Sequence, residues 1–411
     1  MPHPLSRAHR WTLVALGAMA MAMSFLERQT LSVLAPTVCA ALGLSNTQYG
    51  WTGSAFALAL LAATPLAGSF LDRLGVRRGL FFAVLLWSAA SAAHGLAGGL
   101  ASLLALRVLL GIAEAPGFPG SAHVVRSVLA PKQVARGLGF VLAGSTAGAL
   151  AALFVAVAFE QRFGWRGAFA GVAAISVVWA LLWAAVSSAG SAPAHLDVRD
   201  APQTGGASIL RNRDVVRAVL LTSGVSPMLA FASLWWPKFL VATHGVPQAS
   251  IPSYSFLLPL AYDAGAVALG DLAGRSRPAA VLLFASFLAL AAGAVPFAGS
   301  AWTAVSIAAV AWFGVGGAFA ISTAGALVAV ERSAISRAGA AVATANSLGF
   351  VLWNPVIGWS IDRTGSYAPA LIGCAIAIAA GAAAWILLRP ALVHLSGAVP
   401  LESSSVISRG P

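Results

Sequence analysis

Runs of roughly 18–25 apolar residues recur along the whole chain, each long enough to cross about 30 Å of hydrocarbon as a helix. In lipid every backbone N–H and C=O must find its partner inside the segment, so such runs fold as transmembrane α-helices. About twelve can be read, at 11–41, 49–71, 79–96, 100–125, 138–159, 167–186, 215–241, 250–273, 279–297, 302–330, 339–361 and 368–388. Of 411 residues 59% are hydrophobic and only 9% charged, against about a quarter charged in soluble domains. No soluble core could absorb that much apolar surface. The expected fold class is an all-α membrane protein with twelve transmembrane helices, here called spans 1 to 12.

A Ser-, Pro- and Gly-rich stretch breaks the rhythm after span 6 and has the composition of a linker. It divides the chain into a six-helix bundle at 1–187, a linker at 188–213, a second six-helix bundle at 214–390 and a polar tail at 391–411, expected to be disordered. The halves echo each other. GSFLDRLGVRRG after span 2 has an eroded counterpart, GDLAGRSRP, after span 8, and VARGLGFVLAGSTAG entering span 5 matches ISRAGAAVATANSLG entering span 11. Two pseudo-symmetric bundles with a site between them are the parallel-repeat plan of many secondary transporters.

The formal charge of +12 would suggest a nucleic-acid partner in a soluble protein. Threaded on twelve spans, however, the bases fall on one side. Arg7, Arg10, Arg73, Arg77, Arg78, Arg126, Lys132, Arg136, Arg275 and Arg277 lie there, whereas the outer loops carry only Arg162, Arg166 and Arg363. This positive-inside pattern puts both termini in the cytoplasm and leaves no aromatic-flanked basic patch for nucleic acid. The start could pass for a signal peptide, but no small-residue cleavage site precedes a soluble domain, so span 1 is expected to be retained. Cys39 and Cys374 suggest neither a disulfide nor a metal site.

Span 4 contains LRVLLGIAEAPGFPG, which buries one arginine and one carboxylate in an apolar run. A charge at mid-bilayer costs about 2.5–3.5 kcal/mol on insertion scales, so a tolerated one usually has a task. Arg107 and Glu114 are seven residues apart, two turns, and project from nearly the same face. An organic-anion symporter needs both groups: a fixed cation with a planar fork for a carboxylate, and a carboxyl whose proton occupancy responds to substrate. Pro116 and Pro119 should kink the helix just past Glu114. In span 1, Glu27 and Arg28 are adjacent and point about 100° apart, so at most one faces the bundle centre squarely.

The loop GSFLDRLGVRR resembles the GxxxDRxGxRR signature of the major facilitator superfamily. ERQTLSVLAP in span 1, RVLLGIAEAPGFPG in span 4, FGWRGAF before span 6, WWPKFL in span 7 and the P-x-x-G-x-x-x-D-x-x-G-S-Y run ending span 11 are similar to its anion:cation symporter family. WWPKFL and LAYDAGA lean towards the hexuronate and aldonate carriers of that family. The resemblance implies the major facilitator fold and ties Arg107, Glu114, Glu27 and Arg28 to substrate and proton coupling. This chain departs from it by carrying Glu27 where the family usually has aspartate. It further implies that Gly68, Asp72, Arg73, Gly75 and Arg77 hold a cytoplasmic gate without touching substrate. Arg107, Arg28, Lys238 and Asn346 are then the substrate-binding candidates, and Glu114 and Glu27 the proton-coupling ones.

Structural alternatives stand beside each. Arg107 and Glu114 can form a static ion pair, Glu27 and Arg28 a clamp between helices, Lys238 can snorkel to the interface, and Asn346 can serve helix packing. Trp235 and Trp236 read as interfacial residues. No phosphate-binding loop is present and the histidines lack metal-ligand spacing, so no enzyme, cofactor or metal is expected. The sequence reading is a monomeric carrier in a bacterial inner membrane, importing a hexuronate, aldonate or related anion with protons by alternating access. The rival readings are a proton-coupled exporter of drugs or metabolites and a membrane ligand sensor.

Overall fold

A computed structural model describes residues 5–189, 192, 196, 209–331 and 334–388. The expected tail and most of the expected linker lie outside them. Span 1 is α1 (Arg7–Val33) and α2 (Ala35–Leu42). They part at Leu34, where the reading above expects one continuous helix, because Pro36 lacks the N–H that would close on the Ser32 carbonyl. From the other half of the molecule, Gln248 Nε2 donates to the Val33 carbonyl at this break, at 2.7 Å.

Spans 2 and 3 form α3 (Asn46–Ala93), which folds back at Gly75 with φ 75°. Spans 5 and 6 form α6 (Pro131–Ser187), which folds back at Gly164 with φ 69°. Positive φ is the region that only glycine occupies without steric cost, so these two residues allow a helix to reverse with almost no loop. Between them, span 4 is α4 (Leu100–Glu114) and α5 (Gly117–Val128), interrupted at Ala115 and Pro116 as the prolines require.

Span 7 is α7 (Arg213–Ala230), a π-helical turn at Phe231–Trp235, and α8 (Trp236–His244). Pro237 withholds the next N–H in the ladder, which leaves room for the wider turn. The remainder are α9 (Ile251–Ser255) with α10 (Leu257–Arg275), α11 (Pro278–Ala289), α12 (Ala301–Val328), α13 (Ile335–Thr364) and α14 (Ala368–Leu387). Among the described residues nine helical segments are long and apolar enough to cross a membrane. Two of them reverse at a glycine, giving eleven crossings among the described residues, and α1, of 27 residues, has the length for a twelfth.

Trp87 and Trp183 lie in a core confined to the first half, whereas the core of Phe231, Trp236 and Phe239 runs on across the junction to Leu31, Tyr49 and Phe169 of the first half. Leu66, Val178, Val267, Phe287 and Leu352 point outward and give the lipid-facing coat of a multi-pass membrane protein. The small residues of GSTAGALAA act in packing: a side chain on Gly144 or Gly148 would overlap the Ala18 or Ala22 carbonyl of α1.

The halves meet where α13 lies along the first arm of α3. There Asn46, Thr47 and Tyr49 join Asp362 and Leu234, and Ser54 Oγ donates to the Val351 carbonyl at 2.6 Å. A side chain on Gly50 would overlap the Asn354 carbonyl, and one on Gly358 the Asn46 carbonyl. This end is sealed. Gly50→Leu is therefore expected to hold the sealed end apart. A spin-label pair at Ala41 and Thr364, both exposed there, should read a longer mean distance in the variant than in the parent protein.

Candidate functional site

Three helices converge on the buried charges. Gly111 lets α4 press on α3, since a side chain there would meet the Phe56 carbonyl at 2.6 Å. That close approach turns Arg107 and Glu114, on either side of Gly111, into the protein, where each is 3% exposed. Neither faces lipid. They share a buried helix face, as their spacing predicts, but they do not pair.

Glu114 is held by α1. Its Oε2 accepts from Ser24 Oγ at 2.7 Å and from Arg28 Nη2 and Nε at 2.6 and 3.1 Å. Such charge-assisted bonds are the strong ones. Arg28 keeps 23% of its side chain exposed, while that of Glu114 is wholly buried. The ion pair is thus reached from outside through the arginine.

Arg107 turns to α3 instead. Its Nε donates to the Thr52 carbonyl at 3.4 Å and its guanidinium lies over the Phe56 ring at 4.6 Å. The Arg28 guanidinium lies over the same ring at 4.8 Å, and over Phe25 at 4.5 Å. Phe56 therefore attracts both cations and keeps two like charges in one place. Arg107 Nη1 and Glu114 Oε1 are buried and have no hydrogen-bond partner in the protein. Two guanidinium forks thus lie side by side on one ring, one of them with an unused donor.

Glu27, 1% exposed, faces the other way, into the first bundle, where Ser88 Oγ donates to its Oε1 at 3.0 Å. The 100° between neighbours thus sends Arg28 to span 4 and Glu27 to spans 3 and 6. Lys238 is not with Arg107. It sits in the seal, where Nζ donates to Asn46 Oδ1 at 2.7 Å and lies 5.0 Å from the Tyr49 ring centre. Asn346 accepts from Ser226 Oγ at 3.2 Å within the second bundle, and Trp235 Nε1 donates to Asn354 Oδ1 at 3.1 Å. Trp235 and Trp236, 0% and 2% exposed, are both buried and not interfacial as read above. Of the loop residues, Gly68, Asp72 and Arg73 are exposed, Gly75 makes the reversal, and Arg77 Nη1 donates to Ser188 Oγ at 3.1 Å.

Five contributors went unread in the sequence: Ser24, Tyr49, Thr52, Phe56 and, as a latch, Asp362. Tyr49, Thr52 and Phe56 stand at spacings of three and four residues, one helix face, and that was the available signal. Asp362 accepts four hydrogen bonds from the start of α3: the Asn46 and Thr47 backbone N–H groups at 3.0 and 2.7 Å, Asn46 Nδ2 at 2.9 Å and Thr47 Oγ1 at 2.6 Å. A carboxylate from one half thus caps a helix N-terminus of the other, where the helix dipole favours it.

Apolar helical crossings with buried charges on spans 1 and 4 make a multi-pass membrane protein. Residues 17–354 match the Major Facilitator Superfamily, and the chain belongs to that family. It is 28% identical to a probable L-galactonate transporter of Escherichia coli K12, over 89% of this chain and 86% of that protein. To the hexuronate transporter of the same strain it is 26% identical, over 64% of this chain and 65% of that protein. A probable galactarate/D-glucarate transporter of Bacillus subtilis is 25% identical, over 88% of each. The fold is also that of a bacterial homologue of the human lysosomal transporter Spinster, in an inward-facing conformation. That crystal structure superposes with a TM-score of 0.80 at 18% identity, over 93% of this chain and 98% of that one.

Removing one member of a buried ion pair strands the other. Arg28 is partly exposed, so Glu114→Ala should destabilise by about 2–3 kcal/mol, less than the roughly 3–5 kcal/mol of a fully buried pair. Adding Arg28→Met should recover most of that loss. Thermal unfolding of the single and double variants in detergent reads this cycle.

Proposed function

We propose that the protein imports a small organic anion, a hexuronate, aldonate or related carboxylate, together with protons by alternating access. The observation that carries this reading is the Arg28–Glu114 pair beside Arg107. Arg28 has one strong carboxylate partner, Glu114. A substrate carboxylate arriving at Arg107 Nη1 competes for Arg28, and Glu114 can release Arg28 most cheaply by taking a proton. Anion binding thus favours the protonated acid, and protonation favours anion binding, by the same factor in each direction.

The relatives named for hexuronate, galactonate and galactarate transport support the substrate class. Arg107 and Arg28 hold the carboxylate, with Phe56 as their platform. Asn346 and Lys238 are on the second bundle and at the seal, and they meet substrate as the halves rock. Glu114 carries the coupling proton and Glu27, across α1, is the second coupling carboxylate. With both termini cytoplasmic, in a bacterial inner membrane, the sealed end is external and the site opens inward. Gly68, Asp72, Arg73, Gly75 and Arg77 then form the gate that closes when the outer seal opens. A protein working as a monomer needs nothing further. An exporter of lipophilic cations would have to seat positive charge against two guanidiniums, which Coulomb repulsion opposes.

Uptake of labelled galacturonate or gluconate into proteoliposomes tests the reading. An inward proton gradient should drive accumulation, and Arg107→Ala should weaken anion binding roughly 10- to 100-fold, the value of about 1.5–3 kcal/mol for a charged hydrogen-bond set. Glu114→Gln should retain exchange of anion for anion but lose accumulation against a gradient. Gradient-independent uptake, or accumulation by Glu114→Gln, contradicts it.

A further inference from the structure

Where α3 and α13 meet, the inner side of the contact is filled by Tyr49 and Trp235, both fully buried. Trp51 of α3 and Trp359 of α13, 50% and 52% exposed, therefore stand on its lipid side. At Trp51 a groove of about 700 Å³ begins on the outer face of the molecule. Its floor is α3 as far as Leu66, one wall is Val108 and Ile112 of α4, and the other is Val351 of α13. The floor is deep because Ala55, Ala59, Ala62 and Ala63 carry almost no side chain. Apart from the Trp51 indole, the polar side chain in the lining is that of Ser54, and its hydroxyl is already spent on the Val351 carbonyl at 2.6 Å. The groove thus follows the junction of the two halves and takes an apolar occupant.

From Trp51 to Leu66 the helix rises about 22 Å. That is room for one acyl chain, which reaches through half of a hydrocarbon core about 30 Å thick. Lipid is as apolar as the groove, so transfer from the bilayer gains nothing by itself. A chain between three walls instead gains dispersion contacts that a chain on a flat helix face lacks. Selectivity needs a charge at the mouth, and Arg363 supplies one. Gly358 packs on the Asn46 carbonyl and Gly50 on the Asn354 carbonyl, so α13 runs antiparallel to α3. Trp359 then lies about a turn and a half closer to the sealed end than Trp51. The exposed Arg363 guanidinium lies over the Trp359 ring at 5.0 Å, and among the described residues no ion pair joins it to an acid. Exposed tryptophan marks the headgroup level, and there an arginine fork matches a phosphate.

We propose that the groove is a phospholipid site, with one acyl chain lying along α3 from Trp51 to Leu66 and the phosphate held by Arg363. The lipid touches both halves, α3 and α4 through its chain and α13 through Val351 and its phosphate. It thereby staples the sealed end, and it favours the state in which that end is closed. That the lipid belongs to the external leaflet rests on the orientation proposed above. The binding does not.

The test titrates purified full-length protein, stripped of lipid in detergent, with palmitoyl-oleoyl phosphatidylglycerol and in parallel with monoolein, which has a chain but no phosphate. Phosphatidylglycerol should raise the unfolding temperature saturably, as a ligand of the native state does. Monoolein should need roughly tenfold more for half-effect, the loss of one charged hydrogen-bond set. Arg363→Gln should bring the two lipids together by weakening the first. Ala62→Phe, at an exposed position of the groove floor, should weaken both, each variant being judged against its own behaviour without lipid. In Gly50→Leu, held apart at the seal, phosphatidylglycerol should shorten the Ala41–Thr364 spin-label distance, and an unchanged or longer distance overturns the stapling. Equal half-effects of the two lipids on the parent protein, or a phosphatidylglycerol response unchanged in either Arg363→Gln or Ala62→Phe, would mean a general coat of lipid and overturns the site. No flux is read, so a failed uptake assay bears on the symport reading alone.

Discussion

A carboxylate and a guanidinium held together inside hydrocarbon, Glu114 and Arg28, are what the rest of the first bundle is arranged around. Either alone would be an uncompensated charge in a medium that cannot solvate it. Gly111 brings α4 onto α3, Ser24 supplies a further donor, and the proline break just after Glu114 ends the helix at that point. Phe56 keeps Arg107 beside the pair without giving it a carboxylate of its own. The result is a cationic site with one internal anion and room, in donors, for a second.

The first arm of α3 joins this site to the seal. Tyr49, Thr52 and Phe56 share one face of it. Tyr49 donates to the Leu234 carbonyl at 2.9 Å, Thr52 receives Arg107, and Phe56 carries both guanidiniums. Asp362 caps the start of the same helix from the other half. Three cations, Lys238, Arg107 and Arg28, therefore stand along one aromatic helix face running from the sealed end inward. A helix with the seal at its tip and the buried charges two turns further in physically connects the two, and the proposed alternating access would act through it.

Much of this was legible in residue order. Apolar run lengths marked the spans, the prolines of span 4 marked its break, and the spacing of Arg107 and Glu114 put them on one buried face. What could not be read was partner choice. Pairing of Glu114 with Arg28 rather than Arg107 depends on how α1 is rotated against α4, and neither helix encodes that alone. Lys238 was placed near the outer end of its helix, but its hold on Asn46 and Tyr49 across the seal could not be read from residue order. The π-helical turn before Pro237, which helps turn Trp235 inward, left no signal beyond the proline itself. Asp362 sat in a quoted motif, yet its task is visible only with the start of α3 beside it.

Proton uptake on anion binding tests the central claim most directly, namely that substrate and Glu114 compete for Arg28. Calorimetric titration of the purified protein with galacturonate, in buffers of different ionisation enthalpy, should show a proton taken up as the anion binds. The uptake should vanish in Glu114→Gln while binding persists. Binding whose heat is the same in every buffer, or proton uptake unchanged in Glu114→Gln, would contradict the account.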